Sequence, residues 1–248
     1  MRMNMNKKFS IITITKDNLF ELKRTFQSLQ NQTLKDFEWI VIDGASSDGT
    51  SEWLSCLEMQ TFEVKWKSEI DFGISDAWNK GIALSSGEQV LILNSGDTYD
   101  PNMIEVFSKK ISSNSITCSN ARLIDPVSLK QVGVFRAEPH KLWRGMHLPH
   151  NWCAVPRIYY EFYGDYPLIK YAMDFSWFHK FYKLNKLDSF HCINIELGNY
   201  HLGGVSDKNY IKSFTQNRNI LIENGYSKFI AYALFCLYTI KHALNKIK

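Results

Sequence analysis

The chain has 248 residues, 45% of them hydrophobic, with 29 basic and 25 acidic residues and a formal charge of +4. That length suits one α/β domain with an extension. The apolar content excludes a disordered chain, and the charge excess is too small to argue for nucleic acid.

Phe9 to Thr15 (FSIITIT) is rich in β-branched residues and predicts a strand. Leu19, Leu22, Phe26 and Leu29 recur at helical spacing, which predicts an amphipathic helix over Asn18 to Asn31. Phe37 to Ile42 is the next strand and ends in Asp43-Gly44. A Ser-, Asp- and Gly-rich loop then leads into a helix through Cys56. Phe62 to Trp66 is a third, weaker strand, Ser75 to Leu84 a helix, and Gln89 to Leu93 a buried strand. Pro101 marks the next helix start. Such alternation implies a mainly parallel sheet with right-handed crossovers. After about Ser113 the rhythm loosens. Ile116 to Leu123 and Val132 to Phe135 are strand candidates, and Lys141 to Pro149 is a loop or short helix. Tyr171 to Lys183 is an aromatic-rich helix, Phe190 to Ile195 and Leu197 to His201 are two strands around Gly198, and Asn209 to Glu223 is a helix stopped by Asn224-Gly225. This divides the chain into a globular part over 1–225, in which a nucleotide-binding half (1–115) is followed by a less regular half (116–225) that would complete the site, and a terminal helix over 226–248.

Five scattered cysteines (Cys56, Cys118, Cys153, Cys192 and Cys236) lack C-x-x-C spacing and read as reduced thiols, as in a cytosolic protein. The basic N-terminus has too short an apolar run for a signal-peptide core. No G-x-G-x-x-G follows the first strand and no G-x-x-x-x-G-K-[ST] is present, which argues against dinucleotide and phosphate-loop folds. The chain instead carries acids at strand tips: Asp43, Asp71 and Asp97. Ligands of open α/β sheets sit beyond those tips. There a carboxylate can accept from a base N–H, accept from ribose hydroxyls, or hold a hard cation. The turn Asn94-Ser95-Gly96-Asp97, directly after a buried strand, is placed for the last of these roles.

The segments FSIITIT, FEWIVIDGASSDGT, SEIDFGISDAWNKGIALSSGE and LILNSGD, followed by LPHNWCAVPRIYY, YAMDFSWFHKF and YHLGGVS, resemble the family 2 inverting nucleotide-sugar glycosyltransferases in order and spacing. Within that family the chain looks most like bacterial colanic-acid and O-antigen polysaccharide enzymes. The likeness runs over residues 8–206. It implies a GT-A fold: an α/β, Rossmann-like, mainly parallel central sheet flanked by helices, here with a C-terminal helical extension. It also implies a nucleotide-sugar donor, read as UDP-linked, and Mg²⁺ or Mn²⁺. By position, Thr13, Thr15, Asp43, Asp71, Gly73, Asp76, Asn79, Lys80, Ser95 and Gly96 would line the donor. Asp97 and His201 would serve the metal. His150, Asn151 and Trp152 would stand on the acceptor side, and Asp174 would be the catalytic base. Ser95 stands where the family's D-x-D motif usually has its first acid. That departure implies a cation arriving with the nucleotide, and it leaves open a binding subunit of a polysaccharide assembly complex that has lost activity.

Between Asn224 and Lys248 there is no acid, and Lys228, Lys241, Lys246 and Lys248 flank the apolar run Phe229 to Ile240. Twelve such residues are too few to span a bilayer, which needs about 20. They suit an interfacial helix. With the resemblance, this implies a cytoplasmic enzyme held peripherally at the inner face of the bacterial inner membrane, extending a polyprenyl-diphosphate-linked glycan.

Overall fold

Strands whose two faces are both apolar need a helical layer on each side, and this chain supplies both. The computed structural model describes residues 8–57, 61–112 and 114–247. The basic opening segment and the side chains of Lys246 and Lys248 lie outside the described residues. In chain order the elements are β1 (Phe9–Thr15), α1 (Leu19–Gln30), β2 (Phe37–Asp43), α2 (Thr50–Ser55), β3 (Glu63–Ser68), α3 (Ile74–Leu84), β4 (Gln89–Ile92), β5 (Thr98–Tyr99) and α4 (Met103–Lys110). They continue with β6 (Ile116–Ile124), β7 (Gln131–Phe135), β8 (Cys153–Pro156), α5 (Ile158–Tyr163), α6 (Met173–Lys183), β9 (Phe190–His201), α7 (Val205–Lys208), α8 (Tyr210–Glu223) and α9 (Lys228–Ile247).

The sheet order is β3-β2-β1-β4-β8-β6-β9-β5, with β7 paired to β6. β3, β2, β1 and β4 are parallel, each joined to the next in sequence through a helix. β8 runs antiparallel to both β4 and β6, while β6 and β9 are parallel. The mainly parallel expectation therefore holds for the first half, and the second half is mixed. Alternate residues of the central strands feed opposite layers. Ile11, Trp39, Val41 and Leu91 pack under α1, α2 and α4 with Leu22, Phe26, Leu54 and Phe107. Ile12, Ile40, Ile42 and Val90 pack under α3, α5 and α6 with Trp78, Ile82, Tyr160 and Trp177.

The two strands expected around Gly198 are one strand. Its pairing with β6 slips between Ser119 and Asn120 and again before Arg122, so the irregularity is a bulge and Gly198 is no break. A side chain at Gly198 would run into the Thr98 carbonyl and the Trp152 ring. β5, β8 and α5 were not anticipated. α9 is longer than its apolar run and packs on α8 and α6 through Ala231 and Leu234. Among the described residues no helix is long and apolar enough to cross a membrane.

Candidate active site

The parallel strands finish along one edge. Gly44 N donates to Thr15 O at 2.9 Å, Leu93 N to Ile12 O at 2.8 Å and Glu69 N to Asp43 O at 3.0 Å. The acids of this edge do not all face outward. Asp43 is fully buried. Its carboxylate accepts from Ser46 N at 3.3 and 3.2 Å, Ser46 Oγ, Ser51 Oγ at 3.3 Å and Ser68 Oγ at 2.6 Å. That coverage ties the loop before α2 to β3. Asp71 lies beside it: a β-carbon at Gly44 would stand 2.5 Å from an Asp71 carboxylate oxygen. Asp71 accepts from Gly73 N at 2.9 Å, where φ is +112° and no atom crowds the α-carbon. Backbone can approach a ligand closely there.

The start of α3 is a tied cluster. Asp76 accepts from Phe72 N at 3.0 Å and pairs with Lys80 at 2.9 Å, and Lys80 also pairs with Glu69 at 3.1 Å. The Phe72 N–H and the lysine hold Asp76 below the usual carboxylate range. Asn79 exchanges two hydrogen bonds with the backbone of Tyr166, at 2.9 and 3.0 Å. These residues shape the wall that carries Asp71. Thr13 is buried and its hydroxyl accepts from Trp39 Nε1 at 2.9 Å. Thr15 is buried with its hydroxyl unpartnered.

The turn after β4 is held from α1. Thr25 Oγ1 accepts from Gly96 N at 2.9 Å and donates to Asp97 O at 3.0 Å. Gly96 has φ +99°, and a β-carbon there would meet Glu21 at 2.8 Å. Asp97 is 7% exposed. His201 N donates to one carboxylate oxygen at 3.0 Å and Asn151 Nδ2 donates to the other. Burial nevertheless pushes the Asp97 carboxyl up to about 7. Ser95 Oγ, in the same turn, and His201 Nδ1 are buried without partners.

Unsatisfied polar atoms around an under-compensated carboxylate fit a cation that enters with its own ligands. Among the described residues no group of three or more His, Cys, Asp and Glu side chains gathers to hold a metal alone. The donor set suits a shared ion and not a protein cage.

On the second half, His150 is buried. Its Nε2 and Tyr166 Oη are 2.8 Å apart, and its ring stands edge-on to Trp78. Desolvation lowers its pKa to about 3, so it stays neutral. Trp152 is 0% exposed and packs on Tyr99 and Tyr200. Both rings thus pack among aromatic neighbours. Asn151 is turned toward Asp97. Asp174 lies in the first turn of α6, after Ala172 with φ +55° reverses the chain. It is half-buried; desolvation raises its pKa, and the Phe175 N–H at 2.8 Å opposes that. Burial, and then the charges of Asp97, Asp174 and Asp207, push the Tyr200 phenol up.

The glycosyl transferase family 2 model matches residues 10–151, more than half of the chain. The chain belongs to glycosyl transferase family 2. Similar proteins include an uncharacterized glycosyltransferase of Mycobacterium tuberculosis, 41% identical over 91 residues, which are 36% of this chain and 34% of that protein. A cholesterol galactosyltransferase of Borreliella burgdorferi is 31% identical over 114 residues, 45% of this chain and 32% of that protein. The chain thus spans about a third of the length of these curated relatives. Among solved structures, S. aureus TarS 1-349 in complex with UDP-GlcNAc has a TM-score of 0.67 at 13% identity, covering 95% of this chain and 72% of that one. A mannosyltransferase of Pyrobaculum calidifontis in complex with GDP-Man and Mn²⁺ has a TM-score of 0.60 at 13% identity, covering 97% and 81%. The fold of this family 2 member is GT-A.

Sequence reasoning missed Thr25. Thr25 carried a signal: it is a hydroxyl on the apolar stripe of α1, next to Phe26 and one turn from Leu22 and Leu29, where a polar group needs a partner.

Proposed function

We propose that this chain transfers a hexose from a UDP-sugar, with inversion, to a lipid-linked glycan in bacterial surface polysaccharide synthesis. The observation that supports the reading is the turn at Asp97, a buried carboxylate held by His201 N–H and Asn151 Nδ2 with Ser95 Oγ and His201 Nδ1 left without partners beside it. Asp97, with diphosphate oxygens and water, would hold Mg²⁺ or Mn²⁺, with His201 alongside. The ion, when bound, offsets the charge that grows on the leaving diphosphate. Asp71 and the open backbone at Gly73 take the nucleoside side. Asp174 removes the proton of the acceptor hydroxyl as its oxygen bonds to the anomeric carbon, opposite the breaking bond to diphosphate. A carboxylate whose pKa is raised by burial is a stronger base for that step. The ligands named with TarS and the Pyrobaculum enzyme support a nucleotide-sugar donor, and Mn²⁺ with the latter supports a divalent ion.

A lipid-linked acceptor is supported by α9. Its inner side is packed, yet Phe229, Tyr232, Leu237, Ile240 and Leu244 form an outward apolar stripe, flanked by Lys228 and Lys241 with no acid on the helix. Such a face suits an anionic bilayer surface. In flotation with anionic vesicles, Leu237→Glu/Ile240→Glu should stay at the bottom while the parent protein floats. Equal flotation would count against the membrane role.

The main test is a panel of nucleotide sugars with and without Mn²⁺. Slow UDP release from one UDP-sugar, dependent on Mn²⁺ or Mg²⁺, is the expected result. Binding without turnover on any acceptor would favour a subunit that only holds the nucleotide.

A further inference from the structure

Asn151 sits between the halves of the molecule in a chain of hydrogen bonds that has only one workable direction. Trp78 Nε1, on α3, donates to Asn94 Oδ1 at 3.2 Å. Asn94 Nδ2 donates to Asn151 Oδ1 at 3.3 Å, and Asn151 Nδ2 donates to Asp97 Oδ2. An indole N–H can only donate. It therefore obliges Asn94 to present its oxygen to Trp78 and its nitrogen to Asn151, and the same obligation passes through Asn151 to Asp97. Trp78, Asn151 and Asp97 are all buried, and Asn94 is half-buried. The Asn151 backbone is fixed separately, because Tyr99 Oη donates to its carbonyl at 2.6 Å. The Trp78 ring is wedged against His150 and Tyr166.

We propose that Trp78, Asn94 and Asn151 form a directional relay that orients the Asp97 carboxylate toward its cation, with Asn151 a positioning residue. This rests on the reading of Asp97 as the cation-holding acid. The chemistry gives the relay a purpose. With Ser95 in the turn in place of a first acid, one carboxylate does the work of two, and a single ligand tolerates less rotation. His201 N–H holds one oxygen and the relay holds the other, so the lone pairs left on each oxygen point in fixed directions. The relay also ties α3, which forms the donor wall, to the turn that grips the diphosphate side.

Trp78→Phe tests it, because the substitution keeps an aromatic ring in its cluster while it removes the N–H together with part of the indole volume, so unfolding stability is measured beside the affinity. Mn²⁺ affinity in the presence of UDP should fall about 3–10-fold, below the 10–100-fold of partners that touch a ligand directly, because Trp78 acts through two intervening amides. Asn151→Ala should weaken it further. In the double variant the losses should not multiply, because a broken relay cannot be broken twice. Nitrogen-labelled NMR without any ligand gives an independent readout. The Asn151 side-chain amide protons should exchange slowly in the parent protein and faster in Trp78→Phe. Unchanged Mn²⁺ affinity in Trp78→Phe, fully multiplicative losses, or unchanged amide exchange would each overturn the relay. If the parent protein binds no Mn²⁺ with UDP, the functional reading fails, and the relay is then judged on the amide exchange alone.

Discussion

Two buried carboxylates lie at opposite ends of the sheet and are treated in opposite ways. Glu38, at the start of β2, is 0% exposed. It accepts from Ser10 Oγ at 2.5 Å, Ser86 N at 2.6 Å and Ser86 Oγ at 2.9 Å, and it pairs with Lys65 at 2.5 Å. Burial alone would raise its pKa, but Lys65 and the hydrogen bonds prevail and hold it below the ordinary value. Asp97, beyond the other end of β4, is buried almost as deeply, has two N–H donors and sits between the opposing charges of Glu21 and Arg24. Its pKa rises to about 7. The same group with similar burial thus stabilises the fold at one edge and weakens it at the other. The edge left short of positive charge is the one where a cation with a nucleotide would supply it.

The largest effect should come from breaking the satisfied end. Glu38→Ala leaves Lys65 only its 3.6 Å pairing with Glu63 and leaves three buried or half-buried donors without their acceptor, and should cost about 3–5 kcal/mol in denaturant unfolding. A cost under about 1 kcal/mol would mean that Glu38 is not the lock described here.

The pH dependence of the two acids should have opposite signs. Without a divalent ion, folded Asp97 keeps its proton up to about pH 7, whereas the unfolded chain loses it near 3.8. Stability from this group therefore falls as pH rises from about 4 to about 7, by at most ~4 kcal/mol, and is flat above that. Glu38 contributes above its unfolded value of 4.5 and loses that contribution as pH falls through its lowered folded value. Asp97→Asn should accordingly lose the slope between pH 4 and 7 and be about 1–2 kcal/mol more stable than the parent at pH 8, after the mismatch with one donor is subtracted. Mn²⁺ with UDP should erase the same slope in the parent protein. An unchanged slope in Asp97→Asn would assign the titration to another group.

A smaller loss is expected from packing that supports the functional end. Gly198→Ala drives a methyl into the Thr98 carbonyl and the Trp152 ring, neither of which can yield easily. About 1–3 kcal/mol of destabilisation should follow. A neutral result would show that β5 and β9 can slide apart.

The local patterns that specify β1, β2, β4, α1 and α3 are visible in the chain because each is a short run with one period. The turn at Asn94 to Asp97 was legible for the same reason. β8 and α5 were not, since four- and six-residue elements carry too little periodicity, and the bulge in β9 arises from its pairing with β6 rather than from its own residues. Among the candidate site residues, Asp43, Thr13, His150 and Trp152 have the right types for ligand contact. Their exposure depends on neighbours far along the chain. Asn151 was legible as a polar residue near the site, but the side of the cleft it serves depends on Trp78 and Asn94, which only the fold brings to it.

The most direct test compares Asp174→Asn with Asp97→Asn for Mn²⁺–UDP affinity and for sugar transfer in the same preparations. Asp174→Asn should bind Mn²⁺–UDP as the parent does and lose transfer by about 10²–10⁴-fold, whereas Asp97→Asn should lose the metal-dependent binding itself. Parental turnover in Asp174→Asn, or equal loss of Mn²⁺–UDP binding in both variants, would contradict the division of labour between the two acids.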